Sequence, residues 1–132
     1  MSSHATGTIT MQLTVRLLTS TTWSAGGIIL GTTAGITQTA SQTLAPWTLD
    51  LDIVLRTLSI GGASTVATMG LWSSPLGFAT PFAATLPANN TAVTLTTVDN
   101  SATYYLFLSA TAGASQSDNL IQTELLKLYG EN

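Results

Sequence analysis

The chain has 132 residues, of which 3 are basic and 6 acidic, and this charged fraction of 7% compares with about 25% in an ordinary soluble domain. A net charge of -3 excludes recognition of a nucleic-acid backbone, and the absence of cysteine excludes disulfides and thiolate metal sites. No apolar run approaches the roughly 20 residues that span a bilayer, so we expect no membrane-spanning segment. The length suits one domain over 1–132, with an N-terminal arm at 1–7.

The few charged residues are unevenly distributed along the chain. None lies between Arg16 and Asp50, and none lies between Arg56 and Asp99. Because a free monomer normally stays dispersed by displaying charges of both signs, we expect copies of the chain or neighbouring proteins to cover much of its surface. The composition therefore predicts a homo-oligomer within a larger assembly.

Two segments alternate between apolar and polar residues, which is the pattern of a half-buried strand. In the first, 8–17, the side chains predicted to face inward are Ile9, Met11, Leu13, Val15 and Leu17. In the second, 47–55, they are Trp47, Leu49, Leu51, Ile53 and Leu55. The pair Gly61-Gly62 then supplies a turn, and 65–72 is predicted to return as the second strand of a long hairpin.

The remaining segments predict shorter strands separated by turns. Short strands are expected at 28–31 and 35–39, and another at 91–98. The segment 73–87 is rich in proline and is predicted to be mainly an extended loop. Residues 99–101 predict a turn, because Asp and Asn side chains hydrogen-bond to their own backbone.

Near the C-terminus, apolar residues occupy both faces of the predicted strands. This holds for 104–108 and for 120–129, although a short helix is an alternative for the latter. Many short strands without a convincing amphipathic helix predict an all-β fold, an antiparallel β-sandwich of jelly-roll type. The second faces of these strands, with two phenylalanines of the proline-rich segment, are the predicted contacts with other subunits or a particle: Tyr105, Phe107, Leu126, Leu128, Phe78 and Phe82.

The sequence offers little catalytic chemistry. His4 is the only histidine and lies outside the patterned strands, so a catalytic triad or zinc site is not expected. Asp50 and Asp52 share one face of a strand, and we interpret them as a solvated polar face, with a calcium site or a paired-carboxylate hydrolase as the alternatives. Trp23 and Trp72 are candidates for stacking on a sugar ring. We predict neither an enzyme nor a bound cofactor.

A set of segments carries a resemblance to a known class of proteins. The set comprises Leu30-Gly31-Thr32-Thr33, then Leu44-Ala45-Pro46-Trp47-Thr48-Leu49 opening a long strand, a Gly-Gly hairpin and the late strand from Tyr105 to Thr111. It ends with Ala114-Ser115-Gln116-Ser117-Asp118-Asn119 before a final apolar segment. This arrangement resembles the small jelly-roll structural proteins of tailed bacteriophages, which occur as capsid decoration proteins, head fibres or tail-associated domains.

The resemblance implies a virion protein, often trimeric, that braces or decorates a particle after assembly in the host cytoplasm. Its expected partners are itself and other virion proteins, such as the major capsid protein or tail proteins. The alternative is a receptor- or carbohydrate-binding domain of a phage tail or head fibre. The resemblance implies no catalytic residues.

Overall fold

A computed structural model describes residues 9–38, 46–59, 62–74, 82–88, 92–93, 95–113 and 127. The described residues form strands and connecting segments and contain no helix, and the strands make two antiparallel sheets. The predicted all-β antiparallel fold is therefore confirmed. The eight strands are β1 (Ile9–Leu18), β2 (Ile28–Thr32), β3 (Ile36–Gln38), β4 (Thr48–Thr57), β5 (Ala63–Ser74), β6 (Phe82–Leu86), β7 (Leu95–Asp99) and β8 (Tyr105–Ala112).

The first sheet is built around β1. The strands β2 and β3 pair one after the other along one side of β1, and β8 pairs along its other side. Thr33 lies between β2 and β3, where its backbone N–H donates to the Leu13 carbonyl at 2.9 Å and its Oγ1 accepts from the Leu13 N–H at 3.0 Å. These two bonds hold the interrupted edge against β1.

The second sheet has the same plan around β5. Strand β4 pairs along one side of β5, as the predicted hairpin requires, and β6 and β7 pair along the other side. Each sheet therefore has a long central strand, a long edge strand and an edge interrupted by a loop.

The two sheets pack face to face through their central strands. One core cluster contains Met11 and Leu13 of β1 with Trp72 of β5 and Ala84 of β6. The other contains Val15, Leu30, Val66, Leu86 and Val98, again from both sheets. The alternation predicted for β1 is confirmed at Met11, Leu13 and Val15, which are all buried.

The proline-rich segment contains a strand that the sequence prediction missed. Residues 82–86 form β6, whereas we expected 73–87 to be mainly an extended loop. The strand begins after Pro81 and ends before Pro87 in the sequence, so every β6 residue retains the backbone N–H that pairing with β5 requires. The prediction was wrong because it took Pro81 and Pro87 to prevent a strand, whereas they flank one.

The predicted turn at 99–101 is confirmed and also fastens a neighbouring hairpin. Ser101 donates to the Asp99 carboxylate from its backbone N–H at 2.9 Å and from its hydroxyl at 2.7 Å. These bonds stabilise the charged carboxylate and lower the pKa of Asp99, the side-chain bond contributing most. Asn100 accepts from the Gly62 N–H at 3.2 Å and donates to the Ser59 carbonyl, which ties the β4–β5 turn to the β7–β8 turn.

Several predictions concern residues outside the described part of the chain. These are the N-terminal arm 1–7, His4, Phe78, and the final segment 120–129 apart from Lys127, with Leu126 and Leu128. The choice between strand and helix for that segment therefore stays a prediction.

Candidate interaction surfaces

The predicted contact residues Tyr105 and Phe107 lie together on β8. They stand opposite Leu18 and Arg16 of β1, on the side of the sheet that faces away from the core. Tyr105 is 41% exposed and Phe107 is half-buried. Phe82, a third predicted contact, is the first residue of β6.

Phe107 belongs to a cluster on the outer face of the first sheet, together with Arg16 and Trp23. The Arg16 guanidinium lies 5.1 Å from the Trp23 ring centroid, and the Trp23 and Phe107 rings are tilted by 53° with centroids 6.0 Å apart. Arg16 Nη1 also donates to the Gly26 carbonyl at 3.1 Å and to the Ala25 carbonyl. Arg16 thus holds the β1–β2 loop on the sheet. Trp23 remains 48% exposed.

The second tryptophan considered for sugar stacking is in the core. Trp72 is 0% exposed and stands between Leu49 of β4 and Ala84 of β6, against Met11 and Leu13 of the opposite sheet. The ring is therefore inaccessible to a ligand at the surface. Trp72 is buried because β5 is paired on both sides and its core-facing side is covered by the other sheet.

The outer face of the second sheet combines carboxylates with apolar side chains. Asp50 and Asp52 are exposed on β4, opposite Leu71 and Met69 of β5. Among the described residues no group of three or more His, Cys, Asp or Glu side chains is placed to hold a metal ion. Leu71 is 42% and Met69 is 43% exposed, so apolar side chains on this face are accessible to solvent.

A further surface lies along the side of the molecule where β4 and β8 run. Ile53 and Leu55 of β4, which we predicted to face inward, are 41% and 53% exposed. The residues opposite them, Thr68 and Val66, are buried, so Ile53 and Leu55 do lie on the core-facing side of the sheet. Among the described residues β4 is an edge strand, and the other sheet does not extend over this part of it, so both side chains remain exposed.

The equivalent edge of the first sheet shows the same feature. Leu106 and Leu108 of β8 stand opposite Leu17 and Val15, on the core-facing side of the sheet, yet they are 43% and 40% exposed. The apolar character of both faces of β8 was the sequence signal for this surface. The sequence pattern did not predict that side chains on the core-facing side of β8 would be exposed.

A shallow cleft of about 240 Å³ lies at one end of the first sheet, beside the β1–β2 loop. Leu17, Leu18 and Ile28 supply its apolar lining, and Tyr104 is the one titratable residue among the described residues that line it. Among the described residues, the lining of this cleft contains no carboxylate, imidazole or amine that could act as a general acid or base.

Comparisons of the chain with protein-family models, with curated proteins and with solved structures found no match. The described part of the chain contains no helix that could span a membrane.

Proposed function

We propose that the chain is a structural protein of a tailed-bacteriophage virion, a single-domain jelly roll that forms homo-oligomers and decorates or stabilises the capsid. The observation that carries the proposal is the run of apolar side chains left exposed along two sheet edges in a chain with very few charges. Each of Ile53, Leu55, Leu106 and Leu108 is at least 40% exposed on the core-facing side of its sheet. Core-facing positions without a cover favour assembly, because burying them removes apolar area from water.

The absence of charge supports the same conclusion. Strand β8 contains only apolar and hydroxyl residues, so a neighbour that covers it need not desolvate an ion. The resemblance to phage jelly-roll proteins supplies the kind of assembly, with the major capsid protein or a tail protein as the partner. The resemblance also implies a trimer. Sedimentation of the chain measures the number of copies in the oligomer.

Imaging of the phage particle whose genome encodes this chain tests the proposal. We expect density for the two-sheet fold on the capsid shell and the chain among the proteins of purified particles. Purified, infectious particles that contain no trace of the chain by mass spectrometry would overturn it. Density at the tail instead of the shell would keep the virion role and reject capsid decoration.

A carbohydrate- or receptor-binding role is a second candidate, favoured by the exposed ring of Trp23. Its contacts with Arg16 and Phe107 hold the ring in place, as a stacking platform for a sugar requires. We expect glycan binding on an array to be lost in Trp23→Ala and retained in Leu95→Ala, a control at an equally exposed apolar position. An array on which the wild-type chain binds no glycan would reject this role.

A further inference from the structure

Strands β4 and β8 lie on the same side of the molecule, which we call the open side. On the opposite side, Gly31 of β2 faces Leu86 of β6, where the two interrupted edges come together. On the open side, Leu49 of β4 and Ala110 of β8 pack against the same core cluster. Further along both strands the core-facing residues become exposed, so the two sheets leave part of their shared interior uncovered here.

The open side also presents unpaired backbone. Among the described residues no strand pairs with the free edge of β4 or of β8. Proteins usually guard such edges with charges, prolines or bulges, and β4 carries three charged residues and a register shift between Leu55 and Thr57. The pairing of β8 with β1 has no register shift, and its sequence, YLFLSATA, contains no charge, proline or glycine. Strand β8 is thus ready to add a further strand.

The sequence of each edge strand is arranged symmetrically about one residue. Around Val54, the order is Asp52, Ile53, Val54, Leu55, Arg56, with apolar residues on either side and opposite charges beyond them. An antiparallel pairing of β4 with a second β4, centred on Val54, places Ile53 opposite Leu55 and brings Asp52 towards Arg56 of the other copy, the residue at which the pairing of β4 with β5 shifts register. A second copy of β4 therefore supplies complementary charges of its own.

Strand β8 is symmetrical in the same way about Phe107. Antiparallel pairing with a second β8 places Leu106 opposite Leu108, and both keep to the core-facing side. Phe107 and Val54 are both on outward-facing sides of their sheets, between the pairs of exposed core-facing residues. For the two pairings to form together, one two-fold axis through the open side must pass beside both Val54 and Phe107.

We propose that the open side binds a second copy of this chain, through β8–β8 pairing centred on Phe107 and β4–β4 pairing centred on Val54. The two copies cover each other's Ile53, Leu55, Leu106 and Leu108 and join their sheets into two continuous ones. The pairing is two-fold, so the unit is a dimer, in contrast to the trimer that the resemblance implies. This inference rests on the oligomeric part of the proposed function.

Charge reversal tests the proposed partner most directly. We expect Asp52→Arg and Arg56→Asp each to raise the dimer dissociation constant about 10-fold or more, because each variant places like charges opposite one another twice. The double variant restores opposite charges, and we expect dimerisation to recover. Sedimentation equilibrium measures all four chains. Failure of the double variant to recover, with both single variants impaired, would overturn the β4 register.

Lysine substitution tests the apolar part of the surface with matched controls. We expect Leu55→Lys and Leu108→Lys to weaken the dimer about 100-fold, because the ammonium would be buried without a partner. Leu95→Lys and Leu71→Lys change leucines of nearly equal exposure, 54% and 42%, away from the open side, and should leave the dimer intact. Equal effects of both sets would overturn the proposal.

The absence of cysteine from the chain allows a direct probe of the two-fold axis. Val54→Cys places two thiols opposite each other at a directly paired position, within reach of a disulfide. We expect mild oxidation to give a covalent dimer, and Leu95→Cys to give none under the same conditions. A wild-type monomer overturns the proposal. If the introduced thiol of Val54→Cys also reacts slowly with maleimide in such a monomer, another part of the same chain covers the open side.

The failure of this interface is distinguishable from failure of the proposed function. Oligomers that survive Leu55→Lys and Leu108→Lys, on a chain found on the capsid, overturn only the interface. A dimer with these properties that is absent from purified particles overturns only the virion role.

Discussion

Gly31 occupies a position where the two sheets approach too closely for any side chain. A Cβ atom added to Gly31 would lie 2.3 Å from Leu86 Cδ2 and 3.0 Å from its Cγ. Leu86 is 2% exposed and packs within the core cluster of Val15 and Leu30, so it has little room to withdraw. We expect Gly31→Ala to lower the free energy of unfolding by about 1–3 kcal/mol, the usual cost of overpacking a core.

Gly26→Ala is the matched control for this substitution. The nearest atom to an added Cβ there is Ser24 Oγ at 3.8 Å, an ordinary contact. Reduced freedom of the unfolded chain should make this variant neutral or more stable, by up to about 1 kcal/mol. The opposite signs separate steric overlap from any general effect of replacing glycine.

Urea unfolding followed by circular dichroism measures both variants, and a double-mutant cycle with Leu86→Val locates the cause. The smaller valine side chain removes part of the overlap, so we expect Gly31→Ala to cost at least about 1 kcal/mol less in the Leu86→Val background. A Gly31→Ala variant as stable as wild type would refute the close approach of the sheets. An equal loss of stability in the wild-type and Leu86→Val backgrounds would refute Leu86 as its cause.

Three further predictions concern polar side chains. Gln38 is 0% exposed, and its amide nitrogen and oxygen have no hydrogen-bond partner among the described residues, so Gln38→Leu should raise the free energy of unfolding by about 1–3 kcal/mol, as measured in urea; a less stable variant would contradict this. The pKa of Asp99 should lie below the ordinary value of an aspartate by carboxyl-detected NMR and should rise in Ser101→Ala; because folding lowers this pKa, its stabilisation is present above the unfolded pKa and is lost as the pH falls through the folded value. Asn100→Ala should speed amide exchange at Gly62 several-fold, since it removes the bond to the Asn100 side chain, and unchanged exchange there would show that the turns are not coupled.

Local sequence patterns were sufficient to predict most of the strands. The period of two in β1 and β4, the Gly-Gly pair before β5 and the Asp-Asn-Ser turn each depend on residues close together in the chain. The strand β6 escaped prediction because prolines dominate the composition around it, whereas pairing depends on where those prolines fall.

The candidate surfaces could be predicted only in part. Apolar residues on both faces of β8 predicted a contact surface, which stays a prediction; Tyr105 is exposed on the outer face. The burial of Trp72 was not predictable from the sequence, because the pattern of the predicted strand 65–72 did not show which of its faces turns towards the core. Trp23 differs from Trp72 because it lies in a loop held by Arg16, whereas Trp72 lies on a central strand.

By itself, the sequence determined the strand pattern, the low charge and the absence of thiol chemistry, because these depend on residue type and spacing alone. Only the tertiary structure decided which strands are central and which are edges, since pairing joins residues far apart in the chain. That decision buries Trp72 and leaves Ile53, Leu55, Leu106 and Leu108 exposed, although all five lie on core-facing sides of strands. A side chain on the inner face of a sheet is buried only where the opposite sheet extends over it.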